Sequence, residues 1–264
     1  IPVTKTVGDN KSQISGNNIV GGVAGYIVGD AKVFNLTSSI SVSSLYKTGA
    51  PYDLYSRGNQ TLTAHERLSY AGGVICFVVI YWNMFDSSVY SDEQDISKLK
   101  FYGENVTVQG RFVGGVIGYV GISTYLADAV FEITGVVNGV FNQKLISYKE
   151  SIGGVVGVNY GFLYQIRSEH SATVQKAIED GLQGYYTRTT TFRGNTTLFN
   201  SFVESEPLNY IGGLVGEMKN GELKTSYSKI DVVNANVKYA GGLIGLNNLA
   251  TTFIELFAFG DVDA

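Results

Sequence analysis

The chain has 264 residues, a formal net charge of −4 and 16% charged residues, against a usual ~25%. The small acidic excess excludes the basic surface on which nucleic-acid binding depends. Its 33 glycines, 18 tyrosines and 14 phenylalanines, with only 3 prolines, are typical of an all-β protein. The single cysteine, Cys76, excludes an internal disulfide.

An 18-residue segment, Ile1–Asn18, precedes the first glycine-rich motif. It is long enough to supply an additional strand. Because the chain starts at Ile1, it is either a processed protein or a fragment of a longer one.

Six copies of one motif then follow, with the pattern apolar–Gly–Gly–apolar–apolar–Gly, and Cys76 replaces the last glycine once. The copies are Ile19–Gly25, Tyr70–Cys76, Phe112–Gly118, Ser151–Gly157, Tyr210–Gly216 and Tyr239–Gly245. A phosphate-binding glycine loop occurs once, between a strand and a helix, so six copies indicate a repeated structural unit. The doublet glycines are therefore predicted to be structural: Gly21, Gly22, Gly72, Gly73, Gly114, Gly115, Gly153, Gly154, Gly212, Gly213, Gly241 and Gly242.

Each doublet is followed by two aliphatic residues. In an extended strand such neighbours point to opposite faces, one toward the core and one toward solvent. The sequence therefore predicts an exposed apolar column, which the insertions cover or which is available for lateral contacts between molecules. The pairs are Val23/Ala24, Val74/Ile75, Val116/Ile117, Val155/Val156, Leu214/Val215 and Leu243/Ile244. The alternative is a strand that is sandwiched inside one larger domain.

A turn and an alternating strand come after each copy. In the fifth repeat, the alternation places Leu223, Thr225 and Tyr227 on one face and Lys224, Ser226 and Ser228 on the other. The shortest spacing between doublets, 29 residues, fits three strands of about five or six residues with their turns. That is one coil of a β-solenoid.

The alternative is a β-propeller of six blades, which the number of copies also fits. Spacings between doublets range from 29 to 59 residues, and this unevenness favours the solenoid, which accepts insertions at its corners. We expect one repeat domain over 1–264, with insertions near 46–68, 86–99 and 171–207. Within the last insertion, Ser171–Gly181 is predicted to form a short helix, and Gly181–Gly184 is a degenerate copy.

The longest apolar run, Tyr70–Phe85, has 16 residues, which is short of the ~20 that a membrane-spanning helix needs. Its glycines and many β-branched and aromatic residues predict a buried strand and no membrane span.

The pattern resembles the GLUG-motif repeat, whose form is roughly GGLVG, a turn, a strand and YATGDV. The resemblance rests on the six doublets and on "FAFGDV" at Phe257–Val262. It runs from about Ile19 to the C-terminus, and it is strongest over Tyr210–Ala264 and weakest around Tyr70–Leu99. The insertions are long, and the final GDV is clear only at Gly260–Val262. The resemblance implies an extracellular or cell-surface protein with a structural or binding role, such as the stalk of a larger surface protein.

Catalytic chemistry has no signature in the sequence. His65 and His170, the two histidines, have no second ligand at metal spacing, and Cys76 lies in an apolar strand, where a buried thiol is expected. We therefore expect no catalytic residue, no metal and no cofactor. The alternative is a carbohydrate-binding or carbohydrate-degrading β-helix, which tyrosines such as Tyr185 and Tyr186 suggest.

Five N-x-S/T sequons indicate a secreted glycoprotein if the source is eukaryotic. They lie at Asn10, Asn35, Asn59, Asn105 and Asn195. The final repeat reads "LFAFGDVDA" and has no helical cap, so the sequence predicts head-to-tail association with other copies of the chain. The expected function is that of a non-enzymatic structural subunit of a fibre, coat or adhesive stalk. Its expected partners are further copies of the chain, with glycans as a second class of partner.

Overall fold

The protein is an all-β solenoid in which six coils stack on one another through parallel strands, as the sequence predicts. The structure, a computed structural model, describes residues 13–16, 18–29, 31–44, 69–80, 96–102, 106–122, 124–134, 136–137, 140–141, 144–171, 192–194, 208–233, 237–249 and 252–263.

The strands follow the coils in chain order. Coil 1 contains β1 (Gln13–Gly16), β2 (Ile19–Gly21), β3 (Ala24–Val28), β4 (Val33–Phe34) and β5 (Thr37–Ser38). Coil 2 contains β6 (Ser41–Ser44), β7 (Tyr70–Gly72), β8 (Ile75–Val79) and β9 (Ile96–Phe101). Coil 3 contains β10 (Thr107–Gly114), β11 (Ile117–Val120) and β12 (Tyr125–Ile133), followed by a hairpin of β13 (Val136–Val137) and β14 (Val140–Phe141).

Coil 4 contains β15 (Lys144–Gly153), β16 (Val156–Asn159), β17 (Phe162–Tyr164) and β18 (Arg167–His170). Coil 5 contains β19 (Phe192–Gly194), β20 (Leu208–Gly212), β21 (Val215–Met218), β22 (Glu222–Ser228) and β23 (Val232–Val233). Coil 6 contains β24 (Val237–Gly241), β25 (Ile244–Asn247), β26 (Thr252–Ala258) and β27 (Val262–Asp263).

Three parallel sheets form the walls of the solenoid, and every coil contributes to each of them. Sheet A holds the strands that end at the first doublet glycine, sheet B the strands after the doublet, and sheet C the strands after the next turn. The first doublet glycines of all six coils pair in one register, in chain order. The repeat in the sequence is therefore the repeat of the fold.

The core lies between the three sheets and consists of aliphatic columns that run along the solenoid. Sheet A contributes Val20, Ala71, Val113, Ile152 and Ile211, which are buried and paired from coil to coil. β-Branched side chains pack well on such pleated, buried surfaces, which is why these short segments form strands.

The predicted exposed apolar column is wrong for the inner coils, where both aliphatic residues after each doublet face the core. In coil 5, Gly213 and Leu214 form the bend between β20 and β21, where the chain leaves sheet A for sheet B. The alternation of a single strand does not continue through such a corner, so Leu214 and Val215 both face the core. The eight aliphatic residues of coils 2 to 5 are fully buried: Val74, Ile75, Val116, Ile117, Val155, Val156, Leu214 and Val215.

The alternation predicted for the fifth repeat is also wrong. Thr225 has a φ of 49° and interrupts β22, so the phase of the side chains changes there. Leu223, Ser226 and Ser228 are buried, whereas Tyr227 is only half-buried. A residue in the left-handed region bends the strand, and the simple period of two no longer applies across it.

The stack continues past the insertions, because the strands on either side of them still pair with the neighbouring coils. The 45–68 segment separates β6 from β7, and both of these strands still pair with β10. The insertion predicted over 86–99 ends earlier, since Ile96 and Leu99 belong to β9 and are fully buried. Part of 171–207 is β19, which pairs with β15. The predicted helix at 171–181 and the degenerate copy at 181–184 lie almost wholly outside the described residues.

No helix in the described part of the chain is long and apolar enough to cross a membrane.

Candidate functional surfaces

The first glycine of each doublet is the last residue of a sheet A strand, at the corner where the chain turns into sheet B. A Cβ atom built on Gly114 would lie 1.8 Å from the carbonyl oxygen of Ile117, and one on Gly212 would lie 1.9 Å from that of Val215. The same overlap, between 1.9 and 2.1 Å, occurs at Gly21, Gly72, Gly153 and Gly241. A side chain at this position is excluded by the backbone itself.

The second glycine of each doublet lies directly below the second glycine of the next coil. A Cβ atom at Gly22, Gly73, Gly115, Gly154 or Gly213 would lie 2.1 Å from the carbonyl oxygen of the next coil's second glycine. Gly242, in coil 6, is the exception, because its nearest neighbour would be the Cβ atom of Ala258 at 2.9 Å. The restriction on the second glycine is thus imposed by the coil stacked upon it.

A column of inward side chains of sheet C packs against the second glycines. Phe101 and Phe131 fill this position in coils 2 and 3, with ring centroids 6.0 Å apart. In coils 4 and 5 it is taken by Ser168 and Ser228, whose hydroxyls lie 2.9 Å apart, and Ser168 also donates to the Gly213 carbonyl at 2.6 Å. The column is thus bulky in coils 2 and 3 and small in coils 4 and 5, where the two hydroxyls are bonded internally.

A column of left-handed residues, which no sequence motif marks, bends sheet C. Among the described residues, one non-glycine residue per coil has a positive φ, between 48° and 58°, and the pairing places all six in one register. They are Asn35, Lys98, Asp128, Gln165, Thr225 and Glu255. Their side-chain types differ widely, so no residue signature marked the position. The stacking of neighbouring bends holds the conformation.

Aromatic side chains fill a cleft on the outside of the solenoid, between the outward faces of sheets A and B, which we call the A/B cleft. Tyr70 from sheet A contacts Phe77 and Tyr119 from sheet B, with ring centroids 5.6 and 5.5 Å apart. Phe77 stacks on Tyr119 at 4.1 Å and on Tyr26 at 5.1 Å. These offset and edge contacts form a second apolar cluster outside the main core.

Cys76 lies at the floor of this cleft and is fully buried, as predicted. Its thiol donates to the Tyr70 carbonyl at 3.0 Å. Burial raises the pKa of the Cys76 thiol, so the reactive thiolate is disfavoured.

Glu217 is a buried carboxylate in the A/B cleft, where it is only 3% exposed. It occupies the sheet B position that is Val158 in coil 4 and Leu246 in coil 6. Its Oε1 atom accepts from the amide of Asn248 at 2.7 Å and pairs with the ammonium group of Lys219. Two partners, one from its own coil and one from the next, therefore stabilise the buried carboxylate.

We expect Glu217→Ala to destabilise the protein by about 0.5–1.5 kcal/mol, because the hydrogen bond from Asn248 is lost, although the exposed Asn248 amide can then bond to water. Glu217→Gln keeps an acceptor and loses only the charge opposite Lys219, which is partly solvated. Glu217→Gln should therefore destabilise the protein less than Glu217→Ala, and urea unfolding of the two variants tests this order. Equal stability of Glu217→Ala and the parent would mean that the buried carboxylate contributes nothing.

Coil 6 exposes residues at positions that are buried in the other coils. Phe253 is 42% exposed, whereas Leu223, its partner one coil below, is fully buried. Ala240, Leu243, Ile244 and Leu256 continue the core columns and are only half-buried. Among the described residues no strand pairs with the outer edges of β24, β25 or β26. The open end of coil 6 is therefore an apolar surface bordered by unpaired strand edges.

Of the predicted sequons, Asn35 is exposed at the sheet C bend and the other four asparagines lie outside the described residues, as do His65, Tyr185 and Tyr186. Within the described ranges, no group of three or more metal-ligating residues is found. His170 is half-buried at the end of β18, and burial lowers its pKa, an effect that nearby Lys229 reinforces and that Asp231 and Glu169 oppose.

This shift predicts a pH dependence of stability. Because folding lowers the His170 pKa, the unfolded chain binds the proton more tightly, and stability falls as the pH drops below the ordinary value of 6.5. Urea unfolding between pH 7.5 and 5.5 should show this loss, and His170→Gln should reduce the slope. An unchanged slope in His170→Gln would show that the imidazole does not contribute.

No family model, curated protein or solved structure matches the chain.

Proposed function

We propose that the chain is a non-enzymatic extracellular structural protein, a self-assembling subunit of a glycosylated fibre, coat or adhesive stalk. The observation that carries the proposal is the open end of coil 6. There the apolar core and three parallel strand edges stop together without a cover in the described part of the chain. Such edges recruit further strands, and an apolar end face adds a hydrophobic gain to that pairing.

The GLUG-like pattern supports the same class of function, because stacked repeats of this kind suit long, passive surface structures. The solenoid fold also suits it, since each coil contacts only its neighbours and a further coil adds to the stack without rearranging the rest. The Cys76 thiol is buried and hydrogen-bonded, so it is not available as a nucleophile, which agrees with a non-enzymatic role.

Light scattering and electron microscopy across a concentration series test the self-assembly. The parent chain should form rods, and Phe253→Lys should remain monomeric because it places a charge on the end face. Phe162→Lys is the matched control. Phe162 is 38% exposed, but it lies at the side of coil 4, where it pairs with Tyr125 and Glu222, away from both ends of the stack. A parent that stays monomeric at high concentration contradicts the proposal.

The extracellular part of the proposal makes a separate prediction. In protein from its natural source, glycopeptide analysis should find hexose-containing adducts on at least two of Asn35, Asn59, Asn105 and Asn195. Asn35 is exposed and can accept a glycan without unfolding. Unmodified asparagine at all four positions would point to a bacterial or intracellular protein.

Carbohydrate binding is a second candidate, favoured by two stacked tyrosines at the end of the A/B cleft. The rings of Tyr210 and Tyr239 lie 5.9 Å apart, and Tyr239 is exposed. An exposed ring can pack against the apolar face of a sugar. A glycan array that binds the parent but not Tyr239→Ala would favour this function over a purely structural one.

A further inference from the structure

We infer that the open end of coil 6 binds coil 1 of a second copy of the same chain, head to tail and in the register of the internal coils. The inference rests on the proposed self-assembly and specifies the surfaces, the polarity and the register of the contact. Three observations carry it: the direction of the hydrogen bonds at the doublets, the match of side chains across the two ends, and the space around Gly242.

The hydrogen bonds at the doublets all run in one direction along the stack. In each of the five internal contacts, the amide of the second glycine donates to the carbonyl of the next coil's first glycine, at 3.1–3.3 Å. The amide that follows donates to the next coil in the same way, at 2.7–3.0 Å. At the end of coil 6 the Gly242 and Leu243 amides therefore point outward, and at coil 1 the Gly21 and Val23 carbonyls do.

These two ends are complementary only head to tail. Placing coil 1 of a second copy on coil 6 brings the donors of Gly242 and Leu243 onto the acceptors of Gly21 and Val23. Placing coil 6 against coil 6 would bring donors against donors at this corner, which leaves buried amides without acceptors. The contact is thus heterologous, and its repetition gives an open filament.

The side chains at the two ends also match in the register of the internal coils. Extending the pairing brings apolar residues together at the inward positions. These are Val20 with Ala240, Val23 with Leu243, Ala24 with Ile244, Val33 with Phe253 and Leu36 with Leu256. At the bend, Glu255 would meet Asn35, as it meets Thr225 below through a 3.0 Å hydrogen bond. No like charges face one another at these positions, so nothing in this register opposes the contact.

Gly242 provides a variant that separates stacking from folding. In the five internal contacts a Cβ atom on the second glycine would lie 2.1 Å from the next coil's carbonyl oxygen, whereas at Gly242 the nearest atom is a methyl group at 2.9 Å. Gly242→Ala should therefore fold with a modest loss of stability, as the Ala258 methyl group shifts, and should lose assembly, because the added methyl group would overlap the Gly22 carbonyl of the second copy. Phe162→Lys, at the side of coil 4, serves again as the control.

Disulfide trapping tests the register and the polarity. Strands in adjacent coils lie about 4.8 Å apart, which suits a disulfide between paired positions. Phe34 and Ile254 are both exposed, outward-facing and paired in the inferred register. A mixture of Phe34→Cys and Ile254→Cys chains should form a linked heterodimer on oxidation, and neither variant alone should form a linked dimer. A mixture of Phe34→Cys and Phe257→Cys is shifted by three residues and should give about tenfold less product.

The outcomes are distinguishable from a failure of the proposed function. A parent chain that does not assemble overturns the proposed self-assembly as a whole. A parent that assembles while Gly242→Ala assembles equally well, or while Ile254→Cys links to itself as readily as to Phe34→Cys, overturns this inference alone. Loss of assembly in folded Gly242→Ala, with trapping only in the inferred pair, establishes the head-to-tail contact.

Discussion

Gly213→Ala should destabilise the protein by more than about 3 kcal/mol, and Gly213→Val should prevent folding. The reason is that a Cβ atom on Gly213 would lie 2.1 Å from the Gly242 carbonyl oxygen and 2.4 Å from the Ser228 hydroxyl. The carbonyl belongs to the backbone of the next coil and cannot move without breaking the stack. Thermal and urea unfolding of purified protein at low concentration measure the effect.

The matched control is Gly242→Ala, the same change at the same position of the last coil. It should cost clearly less, about 1–2 kcal/mol in the monomer, because its neighbours are the side chains of Ala258 at 2.9 Å and Val262 at 3.7 Å and not the backbone of a further coil. From the sequence alone, both glycines were expected to be equally sensitive. Equal melting temperatures of Gly213→Ala and the parent would contradict the packing of the doublets.

Phe131→Ala should cost about 3–5 kcal/mol, the usual loss for a buried phenylalanine. Phe131 is fully buried in coil 3, where it stacks on Phe101 and packs against Gly115. The residues around it are themselves parts of stacked strands and cannot close the cavity. Chemical denaturation of the purified variant gives the loss in the free energy of unfolding.

Phe259→Ala is the control for this change, since Phe259 is exposed at the side of coil 6. It should alter stability by less than about 1 kcal/mol. A Phe131→Ala variant as stable as Phe259→Ala would mean that the inward column of sheet C does not carry the core.

Several features of the surfaces could be predicted from the sequence, and others could not. The doublets predicted the repeat, and the aliphatic and aromatic composition predicted strands and a buried Cys76. The burial of Glu217 could not be predicted, because its two partners, Lys219 and Asn248, come from two coils that only stacking brings together. From the sequence alone, a charged residue in a strand is predicted to face the solvent.

The sequence by itself determined that this protein is built from six repeats, and the uneven spacing of the doublets favoured a stack of coils over a propeller. Only the tertiary structure decided which way the side chains point. At Leu214 the chain turns the corner between sheets A and B, so Leu214 and Val215 both face the core, and at Thr225 the backbone enters the left-handed region. Both bends recur at the same position in the stacked coils. A period of two describes a single straight strand and contains no information about where the chain bends.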